Sequence, residues 1–236
     1  MSFLTAEWRK LIMANYEIDP AILKPYLPAF TELDFFDGKT YVSSVGFLFK
    51  DIKLLGLSIP FHKTFEEVNL RFYVRHFDGA KWKRGTVFIS EIVPKPAIAF
   101  VANTLYKEHY STMRMRFEWA FTENAVDINY EWRHKKHWNK IAVSAEDKLM
   151  AIPKDSFEEF ITEHYWGYNR ISEKQTTEYE VRHPRWDQYA VKSFEIKADF
   201  KSLYGNDFSF LSTAKPNNVL LAEGSAISIE GKRTIR

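Results

Sequence analysis

Polar side chains alternate with apolar ones along the segment 65–77, which reads FEEVNLRFYVRHF. Successive side chains of a β-strand point to opposite sides, so this alternation predicts a strand with one apolar and one polar face. The polar face carries a carboxylate, an amide, a guanidinium and a phenol, from Glu67, Asn69, Arg71 and Tyr73. On an interior strand such groups face water, join a structural ion-pair network or line a cavity. We interpret this face as the wall of a ligand-binding cavity.

The next apolar run along the chain carries a further carboxylate, Glu91. An Asp78-Gly79 turn signal separates the two runs, so together they predict a long antiparallel hairpin. Strict alternation gives Glu91 three apolar neighbours on its own face, Val87, Ile89 and Val93. A carboxylate in such surroundings is paired or functional. We therefore include Glu91 among the candidate ligand-binding residues.

An imidazole and an indole follow a short predicted helix. Ser156 and Glu159 form a capping box for this helix, which is expected to run from 157 to about 164. His164 and Trp166 then lie where the helix passes into a strand, and there they can contact a ligand. The alternative for His164 is a favourable interaction with the helix dipole. Both residues are candidate ligand-binding residues.

The motifs of metal and cofactor chemistry are missing from the sequence. It has no cysteine, no HExxH and no pair of histidines at ligand spacing, so we expect no metal site. It also has no GxSxG, GxGxxG or P-loop. We expect no cofactor.

Basic and acidic residues nearly balance in the 236-residue chain, with 33 Lys and Arg against 31 Asp and Glu. The formal net charge of +2 produces no long-range field that would attract nucleic acid or an anionic membrane. The start, MSFLTAEWRK, lacks the apolar core of a signal peptide, and no run approaches the ~20 apolar residues of a membrane span. We expect a cytoplasmic protein without a nucleic-acid or membrane partner.

Strand patterns outnumber helix patterns along the chain. Predicted strands are 5–18, 31–36, 40–50, 65–77, 85–93, 112–121, 125–133, 138–145, 176–182, 188–198 and 219–229, although 5–18 could also be a short amphipathic helix. The segments 31–36 and 40–50 flank an Asp37-Gly38 turn and predict a hairpin, and the three strands from 112 to 145 predict a meander that forms a sheet beside the first. Predicted helices are 21–26, 96–106, 157–164 and 199–203. No linker interrupts the chain, so we expect one mainly β domain over 1–236. Aromatic residues, 17% of the chain, suit its core and a pocket, or a surface that forms a homo-oligomer.

Several segments together resemble a known family. They are AEWRKLIMANYEIDP, YVSSVGFLF, FEEVNLRFYVR, EIVPKPAIA, EEFITEHYWGY, VRHPRW and LAEGS. In this order, and over essentially the whole chain, they resemble the uncharacterised YqjF-like family within the acetoacetate decarboxylase-like superfamily. The resemblance implies a closed or nearly closed antiparallel β-barrel or sandwich around a small-molecule cavity. A shared fold does not carry a function with it.

The resemblance also implies two candidate catalytic residues. Acetoacetate decarboxylases form a Schiff base on a lysine, in a motif where a proline precedes two lysines, and a glutamate on the preceding strand assists. The matching positions here are Lys95, in Pro94-Lys95-Pro96, and Glu67. Pro96 replaces the second lysine, whose charge helps to keep the nucleophilic amine neutral in that enzyme. Ordinary acetoacetate decarboxylation is therefore disfavoured.

Three classes of function remain open at this point. The leading interpretation is a protein that binds a small carboxylate- or carbonyl-containing ligand, and if it is an enzyme, a lyase-like one that acts on a small keto acid. A non-catalytic ligand-binding or sensing module would need only shape and hydrogen bonds. A structural or interaction protein would instead need an exposed apolar patch.

The Schiff-base hypothesis has a direct test. We expect Lys95 to be largely solvated, and an ordinary lysine, with a pKa of about 10.4, is neutral in fewer than about one molecule in a thousand at pH 7. Borohydride reduction in the presence of acetoacetate should leave the mass of the protein unchanged. A stable adduct that maps to Lys95 and disappears in Lys95→Ala would contradict this prediction.

Overall fold

Strands dominate the chain, as the alternating pattern predicts. The structure, a computed structural model, describes residues 2–58, 63–105 and 107–236. The strands of these residues are β1 Leu4–Ile18, β2 Glu32–Leu33, β3 Thr40–Leu54, β4 Leu57–Ser58, β5 Phe65–Phe77, β6 Trp82–Val93, β7 Tyr110–Thr112, β8 Arg114–Phe121, β9 Ala125–His134, β10 His137–Ala151, β11 Trp166–Ser172, β12 Gln175–Arg182, β13 Asp187–Lys197, β14 Asn218–Ile229 and β15 Arg233–Ile235. The α-helices are α1 Pro20–Leu23, α2 Pro96–Leu105, α3 Phe157–Thr162 and α4 Phe200–Tyr204, and 3₁₀ turns cover Lys24–Tyr26 and Asn206–Ser212.

Seven strands in the described part of the chain close into a ring. Their order is β12-β11-β6-β5-β3-β1-β14, and β14 returns to β12 through two residue pairs. The prediction of a mainly β, closed or nearly closed fold is confirmed. The expectation of purely antiparallel pairing is wrong at two places, because β6 runs parallel to β7 and to β11. A helix precedes each of these partners and returns the chain in the direction of β6.

The predicted three-strand meander is present but does not form a separate sheet. β8, β9 and β10 pair in sequence, and β13 then connects them to β14 of the ring. The predicted hairpin of 31–36 with 40–50 is wrong. Strand β2 pairs with β5 instead, and the Asp37-Gly38 turn closes only one bridge, between Phe36 and Lys39.

Side-chain caps mark the starts of α1 and α3, and the cap of α3 is the predicted one. Asp19 and Ser156 accept hydrogen bonds from Ala21 and Glu159 at the starts of α1 and α3. α3 ends at Thr162, so His164 lies beyond it, and the predicted end of α2 at Tyr106 lies outside the described residues. No helix of the described ranges is long and apolar enough to cross a membrane.

Strand β5 separates two clusters of buried apolar side chains. Its even-numbered residues, Val68, Leu70, Phe72 and Val74, pack into one cluster. Its odd-numbered side begins at Phe65, which packs with Phe47 and Phe49 of β3 in the second cluster. Each such side chain contributes roughly 1.5–3 kcal/mol when it is fully buried. The alternation in the sequence therefore becomes a strand with both faces buried.

A β-bulge in β6 decides which of its side chains face the second cluster. Leu70 pairs with Ser90, but the next residue of β5, Arg71, pairs with Phe88, so Ile89 is the extra residue. The prediction that Val87 and Ile89 share the face of Glu91 is wrong for this reason. Val87 is buried in the first cluster, and Ile89 packs against it.

The ring closes between β6 and β11 through only two residue pairs, Trp166 with Gly85 and Gly167 with Thr86. A Cβ atom added at Gly85 would lie 2.5 Å from the carbonyl oxygen of Trp166 and 2.6 Å from the Tyr168 ring. The two strands would have to separate to admit it.

We expect Gly85→Ala to lower the free energy of unfolding by about 2–3 kcal/mol, a typical cost of overpacking. Gly231→Ala is the matched control, because nothing lies within 4 Å of the added Cβ there. Chemical denaturation of both variants measures the difference. Equal midpoints would contradict the view that the ring needs a glycine at this position.

Candidate functional site

A cavity of about 180 Å³ lies on the odd-numbered side of β5, under α2. It is somewhat larger than an apolar cavity of ~150 Å³ that holds benzene, and smaller than the pockets of about 300–1,000 Å³ that take drug-sized ligands. Its mainly apolar wall includes many aromatic side chains, among them Trp8, Phe47, Phe49, Phe65, Phe88 and Trp166. The space therefore suits a metabolite of a few carbon atoms with an apolar part.

Glu67 is the polar residue of this wall whose partners are best defined. Its side chain is buried. The Asn69 amide donates to Oε1 at 2.9 Å, and the Tyr110 hydroxyl donates to Oε2 at 2.9 Å. Burial raises the pKa of Glu67 to about 7, the charge of Glu108 adds to the rise, and the two hydrogen bonds oppose it. Near neutral pH this carboxyl exists in both protonation states.

Glu91 and Glu108 form a second pair of buried carboxyls in the same wall. They hydrogen-bond each other, and the Tyr179 hydroxyl donates to Glu108 at 2.7 Å. Burial and then the charges of Glu108 and Glu67 raise the pKa of Glu91 well above its usual range. Burial also raises the pKa of Glu108, although hydrogen bonds from Asn169 and Tyr179 limit the rise. Of the pair, Glu91 is therefore the carboxyl whose protonated form burial favours more.

Arg71 provides the positive charge of the cavity wall, and it is only 8% exposed. One of its terminal nitrogens contacts the Met13 sulfur at 3.7 Å, and its guanidinium lies 5.8 Å from the centre of the Tyr73 ring. Its Nε has no hydrogen-bond partner, and no ion pair within the described ranges includes it. A buried guanidinium with so few partners is costly unless another group binds to it.

His164 lines the cavity next to Arg71 in a fixed protonation state. Burial lowers its pKa to about 4, although the hydrogen bond with Asp34 opposes the shift. Burial pushes the pKa of Asp34 upward, but hydrogen bonds from His164 and Arg84 lower it overall. The ionised Asp34 therefore accepts the Nε2 proton at 3.1 Å, and the imidazole is neutral. Its Nδ1 is then an acceptor, and this atom has no partner among the described residues.

The structure places most of the candidate residues around this one cavity. Those that line it are Glu67, Asn69, Arg71, Glu91, His164 and Trp166. Tyr73 does not line it, because its hydroxyl forms a hydrogen bond of 2.7 Å with Ser43 and its ring packs against His164. Lys95 does not line it either. It is half-buried and not largely solvated as expected, and its charge acts on Glu66, whose side chain points to the opposite face of β5 from Glu67.

The polar groups of the cavity that the sequence analysis missed include Glu108, Tyr110 and Tyr179. Glu108 and Tyr110 follow α2 in an irregular segment and a three-residue strand, where no periodicity distinguishes inward side chains. Tyr179 lies in a predicted strand, and its alternation with Glu178 and Glu180 was a usable signal. Within the described residues, no group of three or more His, Asp or Glu side chains has an arrangement that could hold a metal ion.

Comparison with known proteins identifies the family. The family model DUF2071, described as an uncharacterized conserved protein, matches residues 5–226. The chain belongs to the DUF2071 family. This DUF2071 protein is 27% identical to the uncharacterized protein YqjF of Bacillus subtilis (strain 168) over 184 residues, which cover 76% of this chain and 72% of that protein. The resemblance to the YqjF-like family is thus confirmed.

Solved structures show that the DUF2071 protein has an acetoacetate decarboxylase-like fold. Acetoacetate decarboxylase from Legionella pneumophila matches with a TM-score of 0.66 and 13% identity, over 99% of this chain and 87% of that one. An acetoacetate decarboxylase-like enzyme from Sphingomonas wittichii RW1 matches with a TM-score of 0.69 and 11% identity, over 100% and 94%. The enduracididine biosynthesis enzyme MppR complexed with pyruvate matches with a TM-score of 0.68 and 12% identity, over 99% and 91%. At these identities the similarity concerns the fold alone.

The raised pKa of Glu67 predicts a pH-dependent stability. The folded protein binds this proton up to about pH 7, whereas the unfolded chain releases it near 4.5. The free energy of unfolding therefore falls as the pH rises between these values, by roughly 3 kcal/mol, and stays lower above pH 7. Glu67→Gln should remove this part of the pH dependence. The opposite contribution of His164, which adds stability as the pH rises from about 4 to 6.5, remains in both proteins.

Urea denaturation at pH 5 and pH 8 measures the effect. The quantity compared is the difference in the free energy of unfolding between wild type and Glu67→Gln at each pH. The exposed Glu173→Gln serves as the control and should follow wild type. A difference that is the same at both pH values would contradict the assignment of a raised pKa to Glu67.

Proposed function

We propose that this protein binds a small organic acid in the cavity beside β5, with the ligand carboxylate on Arg71. The observation that carries the proposal is the buried guanidinium whose Nε lacks a partner. A carboxylate fits the planar donors of a guanidinium in a bidentate way and would supply the missing charge. The ligand would thus offset a desolvation cost that the empty protein carries.

The rest of the wall supports a ligand with a second polar group and a hydrocarbon part. Four buried polar atoms of wall residues lack a partner in the described residues, Trp8 Nε1, Asn69 Oδ1, Arg71 Nε and His164 Nδ1. The protonated Glu91 can donate to a ligand carbonyl. The aromatic side chains Phe49 and Phe65 offer an apolar surface for hydrocarbon. A small oxo acid combines these features.

Fold relatives support the size of this ligand but not its identity. One solved structure of MppR is a complex with pyruvate. The DUF2071 protein differs from an acetoacetate decarboxylase at the nucleophile, because the described residues that line its cavity include no lysine. A reaction of a bound oxo acid would therefore use carboxyl groups. A non-catalytic binding module would use the same Arg71 contacts and differ only in the absence of turnover.

Substitution of Arg71 tests the proposal with a matched pair of ligands. The acid 4-methyl-2-oxopentanoate carries the charge, and its methyl ester keeps the ketone and the hydrocarbon without it. We expect wild type to bind the acid more tightly than the ester. Arg71→Gln should weaken binding of the acid by about 10–100-fold, as expected for hydrogen bonds to a charged group, and change binding of the ester by less than about threefold.

Isothermal titration calorimetry measures both affinities. Arg75→Gln is the control, because Arg75 lies on the same strand in a solvent-exposed ion pair with Glu32. It should bind both ligands as wild type does. A wild-type protein that prefers the ester, or an Arg71→Gln variant that keeps its affinity for the acid, would overturn the proposal.

A further inference from the structure

A carboxylate ligand on Arg71 would face three buried carboxyl groups, and ligand binding alone gives no reason for them. Ionised carboxylates would repel such a ligand. These carboxyls belong to one hydrogen-bonded chain, in which Tyr110 contacts Glu67 and Glu91, and Glu91 contacts Glu108. Arg71, with its unpartnered Nε, lies on the same wall. The arrangement combines a bound anion with groups that can exchange protons.

We propose that the cavity interconverts the keto and enol forms of a small 2-oxo acid, with Glu67 as the proton acceptor and Glu91 as the donor to the carbonyl oxygen. The proposal rests on the function proposed above, because the ligand must first be held by Arg71. It adds a reaction that needs no amine, metal or redox partner.

The order of groups along the wall matches the order of groups in such a ligand. Arg71 comes first, then Asn69 with its paired residue Glu91, then Glu67, and the apolar Phe65 comes last. A 2-oxo acid has a carboxylate, a carbonyl, a carbon that bears acidic hydrogens, and a hydrocarbon tail in the same order. The Cα atoms of Arg71 and Glu67 are about 13 Å apart at the rise of a strand. Their long side chains can therefore reach a ligand between them from both ends.

The proposed step is balanced without another reactant. A Glu67 oxygen removes a proton from the carbon next to the carbonyl, and the electron pair of that C–H bond forms the carbon–carbon double bond. The carbonyl π pair moves to its oxygen, which takes a proton from Glu91. In the reverse direction Glu67 returns a proton to the carbon, and Glu91 recovers its own. A protonated carboxyl next to a phenol in an apolar site is a known way to stabilise an enolate oxygen.

Glu67 is a better candidate for the base than His164. Its side chain lies next to the predicted position of the acidic carbon, whereas His164 lies beside Arg71 at the carboxylate end. General acid–base catalysis is most effective when the base titrates near the working pH. His164 is also held by Asp34, which fixes its ring and leaves only Nδ1 as an acceptor.

Hydrogen–deuterium exchange of 4-methyl-2-oxopentanoate in D₂O tests the reaction. Proton NMR should show loss of the C3 hydrogens faster with wild-type protein than without it, because a proton taken by Glu67 mixes with the deuterons of Tyr110 and Glu91. Glu67→Gln should slow the protein-dependent exchange by at least about 100-fold, the usual contribution of a general base. Glu91→Gln, which keeps a hydrogen-bond donor but cannot transfer a proton, should slow it less.

The controls separate this inference from the proposed function. Glu66→Gln changes the neighbouring carboxyl on the opposite side of β5 and should exchange the ligand as wild type does. The affinity for the same acid is measured in every sample. Binding by wild type without protein-dependent exchange would overturn the inference and leave the proposed function intact, whereas absence of binding would overturn both. Exchange that survives Glu67→Gln but is lost in His164→Gln would also overturn the assignment, because the imidazole would then be the base.

Discussion

Burial of ionisable groups that lack a full set of partners is the constraint on which the arrangement of this protein depends. Glu67, Glu91, Glu108 and Arg71 all lie in the wall of one largely apolar cavity. Each charge removed from water in this way costs several kcal/mol unless it is neutralised or paired. The carboxyls reduce that cost because burial favours their protonated forms and because they receive hydrogen bonds from Tyr110, Tyr179 and Asn69. A guanidinium stays charged, so the cost of burying Arg71 remains until an anionic group binds to it.

The rigid surroundings explain how the protein tolerates this arrangement. The ring of strands fixes the backbone on both sides of β5, and the even-numbered side chains of that strand are locked in an apolar cluster. Rotation of the strand to expose Glu67 or Arg71 would bring Val68 and Leu70 out of that cluster. Burial of the apolar side chains on one face of β5 therefore stabilises the strand in the orientation that keeps the polar side chains of the other face in the cavity wall.

Periodicity made the central part of the site predictable from the sequence. The alternation along β5 is unbroken, so the side to which Glu67, Asn69 and Arg71 point follows from it directly. Glu91 was included by the same rule although two of its three predicted neighbours, Val87 and Ile89, were wrong, because the bulge at Ile89 reverses the faces on only one side of it. A bulge has no reliable signature in such a sequence, and the rule therefore fails beyond that residue.

The other parts of the site depend on contacts between distant segments. Asp34 and His164, which fix each other, are 130 residues apart in the chain. Glu108 and Tyr110 reach the cavity only because α2 returns the chain to the edge of β6, where β7 pairs in parallel. Local sequence patterns contain no information about contacts between segments that are distant in the chain. The fold class was predictable because it needs only the number and order of strands, whereas this half of the site needs their three-dimensional positions.

The position of Lys95 illustrates why a shared fold does not settle the chemistry. The resemblance aligned Lys95 with the nucleophile of acetoacetate decarboxylases, but Lys95 is not among the residues that line the cavity. An amine outside the cavity wall cannot react with a ligand held inside it. The titratable groups that face the cavity include three carboxyls, Glu67, Glu91 and Glu108. Their protonation depends on burial, and the ring of strands buries whichever residue stands at these positions. The same architecture can thus raise the pKa of a carboxyl in one protein and lower that of a lysine in another, because desolvation disfavours whichever form is charged. The fold determines where a group is dehydrated, and the residue at that point determines which reaction follows.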